Sequence, residues 1–142
     1  MKVAIGADKK GNHLKEVIKT DLESQGFEIL DTTPEGADDF VDSALNVTHA
    51  VLNNEAEKGI MIDEHGVGSF MASNKVKGMI TANVTDENSA RMTREHNDAK
   101  AISIGSGIVG EKLALVLANA FAHADYAAGR HQVRVDMMNK ML

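Results

Sequence analysis

The stretch Gly59–Ser73, GIMIDEHGVGSFMAS, decides the fold. Its apolar run Ile60-Met61-Ile62 reads as a buried strand. The run ends in Asp63-Glu64-His65-Gly66-Val67-Gly68, and a helical pattern follows from Ser69. A strand that feeds a glycine loop opening a helix presents free backbone N–H groups at the positive end of the helix dipole. Glycines there let a ligand approach the main chain. Such a loop suits an anion, yet Asp63 and Glu64 stand at its mouth and repel one.

The same alternation extends along the chain in both directions. Lys2–Ala7 is β-type, and a helical pattern with Leu14, Val17, Ile18 and Leu22 runs from Gly11 to Gln25, where Gly26 stops it. Phe27–Leu30 is a short strand, and Asp31–Asp39, with the only proline, reads as a loop. Asp42–Asn53 is helical. After the opening strand and its helix to Lys75 come a strand in Gly78–Val84 and a helix capped by Asp86 that runs to Arg94 or Glu95. A strand at Ala101–Ile104 ends in Gly105-Ser106-Gly107. Glu111–His123 is an apolar helix, and His131–Leu142 forms a last one after Gly129. This rhythm predicts an α/β fold: a three-layer α-β-α sandwich with a five-stranded parallel, Rossmann-like sheet and an extra C-terminal helix. Residues 1–142 are expected to form a single domain. The ligand site belongs at the carboxyl ends of the strands, beside Asp8, Asp63, Thr85 or Asp86, and Gly105. The last helix, with Met137, Met138 and Met141, either caps its own sheet or packs on another subunit.

Composition narrows the function classes. No apolar run approaches the roughly 20 residues of a membrane span. The short, glycine-broken N-terminal run does not fit a signal peptide, so a cytoplasmic location is expected. The sequence has no cysteine, so it holds neither disulfides nor a thiol nucleophile. A net charge of −6 disfavours non-specific binding to nucleic acid or membranes. The glycine loop is not a GxxxxGK[ST] loop and lacks the third glycine of a dinucleotide fingerprint. No HExxH or similar pairing of His13, His49 or His123 suggests a metal. No metal and no cofactor are expected.

Three polar segments hold the remaining chemistry. Asp8-Lys9-Lys10-Gly11 is either an acid and two cations at the ligand edge or a solvated turn capping the first helix. In Arg94-Glu95-His96-Asn97-Asp98, His96 suits acid–base work near neutral pH and Asn97 suits hydrogen bonding to an oxyanion. The alternative is a polar loop. In Gly129-Arg130-His131-Gln132-Val133-Arg134, Arg130 and Arg134 fall on one face if a helix starts here. They form a phosphate clamp or ordinary surface arginines.

The segments Lys2–Asp8, Gly66–Lys75, Ala90–Asp98, Ile104–Gly110 and Gly129–Val135 together resemble the ribose-5-phosphate isomerase B and galactose-6-phosphate isomerase family over nearly the whole length. The resemblance implies the sandwich derived above and metal-free, reversible aldose–ketose isomerisation of a sugar phosphate. In the family a histidine helps open the sugar ring, a cysteine base moves a proton between adjacent carbons, and a glycine loop holds the enediolate. Each site is shared between two subunits. Carried over by position, His96 and Asn97 match the ring-opening histidine and its polar neighbour, and Arg130 and Arg134 match the phosphate arginines. Asp63 stands in place of the cysteine, His65 in place of a threonine, and Lys9 in place of a histidine. Glu64 replaces a small residue and Gly107 an arginine.

One half of the family site is therefore intact and the other altered. The resemblance implies a related B subunit that supplies the catalytic cysteine, as in the two-subunit members that convert galactose 6-phosphate to tagatose 6-phosphate. Two other readings stay open. In one, the chain is self-sufficient and Asp63 is the base, its pKa raised by burial. In the other, it is a non-catalytic sugar-phosphate-binding module that keeps the arginines and has no use for His96.

Overall fold

The computed structural model describes all residues from Met1 to Leu142. Five strands, β1 (Lys2–Ala7), β2 (Glu28–Asp31), β3 (Lys58–Asp63), β4 (Thr81–Asn83) and β5 (Ala101–Gly105), form one parallel sheet in the order β2-β1-β3-β5-β4. The central strands β1, β3 and β5 are apolar nearly throughout, as strands covered on both faces must be.

Helices α1 (Asn12–Ser24), α4 (Glu87–Glu95) and α5 (Glu111–His123) cover one face, and α2 (Phe40–Leu52) and α3 (Val67–Asn74) the other. The larger core joins Val3, Ile5, Ile60, Ile62, Ile102 and Ile104 to Leu14, Ile18, Leu117 and Phe121. The smaller core sets Ala4, Met61 and Ala101 against Val47 and Val51 of α2. Alternate residues of one strand thus enter opposite cores, the strand period of two. The predicted sandwich is borne out.

Three local expectations are corrected. The second helix starts at Phe40, because Asp39 caps it by accepting from the Asp42 N–H at 2.8 Å. The second strand includes Asp31, whose carboxylate meets Lys15 and Lys19. The last helix, α6, spans only Gln132–Asn139, preceded by a 3-10 turn at Gly129–His131. Arg130 therefore lies in the turn and Arg134 in the helix that continues it. Val135 of α6 is buried, and Met138 and Met141 line an apolar cavity with Phe70, Met79 and Ile80. The last helix thus packs on its own sheet edge, with Val133 and Met137 left exposed. No helix is long and apolar enough to cross a membrane.

Candidate active site

Strand order reverses between β1 and β3, and the crevice above such a point is where open α/β sheets bind ligands. Asp8 follows β1 and Asp63 ends β3, one on each side of it. The loop after β3 leans on the loop after β5. The N–H groups of Ser106 and Gly107 donate to the carbonyls of Asp63 and Glu64 at 2.9 and 2.7 Å. Two glycines permit this approach. Gly66 has φ +79°, and a Cβ there would lie 2.5 Å from Asn83 Nδ2. A Cβ on Gly105 would lie 2.5 Å from the His65 carbonyl carbon. At Gly107 a Cβ would come within 3.1 Å of the Glu64 carbonyl oxygen, so the space where the family resemblance expects an arginine is bounded by Glu64.

The resulting cavity, about 450 Å³, is lined by Asp8, Asp38, Asp39, Asp63 and Glu64, with Lys10 and His65 among them. The nearby lysines are engaged: Lys10 pairs with Glu64 at 3.4 Å and Lys9 with Asp38 at 3.0 Å. Asp63 is only 6% exposed, and neither its Oδ1 nor the buried Ser69 hydroxyl has a hydrogen-bond partner of good geometry. Burial raises the Asp63 pKa. The Ser69 hydroxyl and the Gly66 N–H, turned toward the carboxylate, offset part of that rise, and the Asp8 charge adds to it. The start of α3 thus carries its own carboxylate where an anionic ligand would sit.

A second group assembles away from this cavity. His96 follows the last turn of α4, its N–H bonded to the Met92 carbonyl at 2.8 Å. The next residues turn sharply, with Asp98 at φ +51°. Arg94 holds the turn, donating from Nη1 to Asp98 Oδ1 and to the Ala99 carbonyl, both at 3.0 Å. His96 is half-buried and Asn97 exposed. The chain leaving α5 returns to the same place. Ala127 donates its N–H to the Glu95 carbonyl at 2.9 Å, and the turn at Gly129–His131 follows. His131 lies face to face with His96, their ring centroids 4.2 Å apart and their planes 16° from parallel. The charges of Arg130 and Arg134 act on His131 as well, so all four predicted residues except the exposed Asn97 are tied to one cluster by direct contact or charge. Both arginines are exposed and form no ion pair within the chain.

The structure brings His96 together with Arg130 and Arg134, and Asn97 follows His96 directly. It does not bring any of them into the Asp63 cavity, whose lining includes none of the four. His131 was not among the residues singled out by sequence, although it sits inside the Gly-Arg-His-Gln segment. No residues cluster in a way that could hold a metal ion.

A parallel five-stranded sheet with glycine loops at a switch point defines a doubly wound α/β protein with a ligand crevice at its carboxyl edge. The chain belongs to the Ribose/Galactose Isomerase family, whose model matches residues 3–138. It is 53% identical to the galactose-6-phosphate isomerase subunit LacA of Clostridium acetobutylicum over 142 residues, the full length of both. It is 51% identical to the subunit of that name from Lactococcus lactis subsp. lactis, over 99% of each chain. Among solved structures, ribose-5-phosphate isomerase B of Clostridium thermocellum superposes with a TM-score of 0.94 at 38% identity, covering 99% of this chain and 96% of that one. The Mycoplasma genitalium ribose-5-phosphate isomerase B, solved with bound ribulose-5-phosphate, gives 0.91 at 33% identity over 98% and 94%.

Proposed function

We propose that the chain is one subunit of a hetero-oligomeric isomerase that interconverts galactose 6-phosphate and tagatose 6-phosphate. The division of chemistry between the two ends of the sheet carries this reading. The cluster of His96, Arg130 and Arg134 is open, cationic and without a base. The cavity at Asp63 is acid-lined and without a clamp. The relatives named as galactose-6-phosphate isomerase subunits supply the substrate.

In this reading Arg130 and Arg134 hold the phosphate, as guanidinium forks suit phosphate oxygens. His96 gives a proton to the ring oxygen while the anomeric hydroxyl loses its own, so the C1–ring-oxygen bond breaks and the aldehyde forms; Asn97 hydrogen-bonds the sugar oxygens. A base on a related B subunit, a cysteine thiolate, takes the proton from C2. The electron pair moves into the C1–C2 bond and the carbonyl becomes the enediolate oxygen. A proton returns to C1 and the proton on O2 passes to O1, which leaves a hydroxyl at C1 and the ketone at C2. Nothing is oxidised or reduced overall.

Co-purify the chain with the related subunit and assay turnover of galactose 6-phosphate. The pair turns over and the chain alone is inert, and His96→Ala in the pair lowers kcat by about 100-fold or more, the scale of general acid catalysis. Near-normal turnover of His96→Ala overturns the reading. One observation favours a second reading, with Asp63 as a self-sufficient base: burial raises its pKa. That reading requires turnover by the chain alone.

A further inference from the structure

The stacked pair of histidines is the one feature of the cationic cluster that the proposed chemistry leaves unused. Its geometry is over-determined. On one side, His96 is fixed by its own N–H bond to Met92 and by the Arg94 grip on the turn that follows. On the other, the segment carrying His131 is tied to the end of α4 by the Ala127–Glu95 bond. Tyr126 donates its hydroxyl to Gln132 Oε1 at 2.9 Å, closing the turn across His131, and Gln132 in turn donates to Asp136 at 2.7 Å. Ala128 adopts φ 55° and ψ −135°, a conformation that L side chains rarely take, and Gly129 follows at φ 62°. Strained backbone of this kind persists only where its surroundings hold it. Here its consequence is a flat ring laid on His96.

An imidazole with no hydrogen-bonded carboxylate needs something else to fix its plane. Neither ring nitrogen of His96 has a side-chain partner in the chain. The two histidines that do, His13 with Glu111 and His123 with Gln25, lie elsewhere. The only aromatic surface against His96 is His131. We propose that His131 is the positioning residue for His96: its ring, stacked at 4.2 Å, sets the plane in which His96 presents its proton to the sugar-ring oxygen. This rests on the reading of His96 as the ring-opening group.

The charges around the pair agree with the geometry. Burial, the neighbouring His96 and the guanidinium groups of Arg130 and Arg134 all hold the His131 pKa below its ordinary value. Each of these favours the neutral form of His131. A neutral ring stacks on a protonated one without repulsion, so the pair tolerates both states of His96 through a catalytic cycle. Neutral, His131 has one N–H and no charge to offer a phosphate.

Three variants of the full chain test this in the assembled pair: His131→Ala, His131→Phe and His96→Ala. A flat ring without nitrogens preserves the stack and cannot donate to phosphate. The expected result is a kcat about ten-fold lower in His131→Ala, the scale for a misplaced group. His131→Phe recovers most of that loss, and KM stays within about two-fold in both. If His131→Phe is as slow as His131→Ala, or if both raise KM with kcat unchanged, His131 is a phosphate ligand or a mere filler and the inference falls. A spectroscopic arm uses the chain alone, with carbon-13 in the histidine rings. The Cε1–Hε1 signal of His96 shifts when His131 becomes Ala and keeps its stacked position when it becomes Phe. An unmoved signal in His131→Ala removes the stack itself. Normal turnover by His96→Ala with the shift intact overturns the function instead, so the two failures are told apart.

Discussion

Lys58 Nζ lies 2.8 Å from the carbonyl oxygen of Ala122 and also donates to the carbonyls of Phe121 and Ala124. A fully buried lysine at the start of β3 thus closes the end of α5, whose last carbonyls have no partner within the helix. The chain that leads on to Arg130 and His131 departs from that point. Lys58→Met removes the donor these oxygens share, leaving Phe121 only the Ala124 N–H at 3.3 Å, and is expected to lower stability by about 3 kcal/mol in urea unfolding. The effect has a pH signature. Burial, with Arg94 nearby, brings the Lys58 pKa down to about 8 from an ordinary 10.5. Between those values the unfolded chain holds a proton that the folded chain has released, so the contribution of Lys58 to stability rises with pH. The gap between wild type and Lys58→Met is constant below pH 8 and widens from there toward 10.5.

Asp63 predicts the opposite sign. Its pKa is raised by burial, so the folded chain carries a penalised carboxylate at neutral pH, and that penalty fades as pH falls through the raised value toward the ordinary 3.8. Asp63→Asn is therefore expected to raise Tm at pH 7, by a margin that shrinks as the scan is repeated toward pH 4. Turnover of the assembled pair stays at the wild-type level. Loss of turnover in Asp63→Asn would place the base in this chain after all.

Arg130 and Arg134 are exposed and unpaired, so the fold does not depend on them. Arg134→Ala is expected to leave urea stability within about 0.5 kcal/mol of wild type. If Arg134 holds the substrate phosphate as proposed, the same change in the assembled pair lowers kcat/KM by the equivalent of about 2–5 kcal/mol. Arg134→Lys recovers only part, because a point charge does not reproduce the guanidinium fork.

The elements of the fold were legible because each carries its own period: alternate core residues in the strands, Leu14, Ile18 and Leu22 in α1, and glycines at the strand ends. Boundaries failed where residues outside the apolar pattern set them. Phe40 and Val41 are apolar yet exposed, so they lie off the buried stripe of α2, and the cap at Asp39 sets its start. Asp31 read as loop because a carboxylate in a strand needs partners, and Lys15 and Lys19 reach it from a helix earlier in the chain. The spacing of Arg130 and Arg134 suggested one helix, but the chain enters at positive φ through Ala128 and Gly129, and a 3-10 turn that includes Arg130 precedes the helix of Arg134. His131 went unremarked because its partner His96 lies on another element. No local pattern encodes a contact made only when two loops meet at the sheet edge.

The strain at Ala128 supports a last prediction. With φ 55° and ψ −135°, this alanine occupies a region open to glycine and costly to any residue with a Cβ, on the order of 1–3 kcal/mol. Glycine relieves that strain but gives the unfolded chain more freedom, worth roughly 0.5–1 kcal/mol in the other direction. Ala128→Gly is therefore expected to stabilise the chain by about 1 kcal/mol in urea unfolding. The turn, fixed by the Ala127–Glu95 and Tyr126–Gln132 bonds, keeps its shape, so the His96 ring signal is unchanged. Ala128→Val adds a branched Cβ at positive φ and pulls the turn toward ordinary backbone angles. It is expected to lose stability by about 2 kcal/mol and to shift the His96 signal in the same direction as His131→Ala. Equal spectra for Ala128→Gly and Ala128→Val would mean that the turn does not govern the stack, and that the two rings meet through side-chain packing alone.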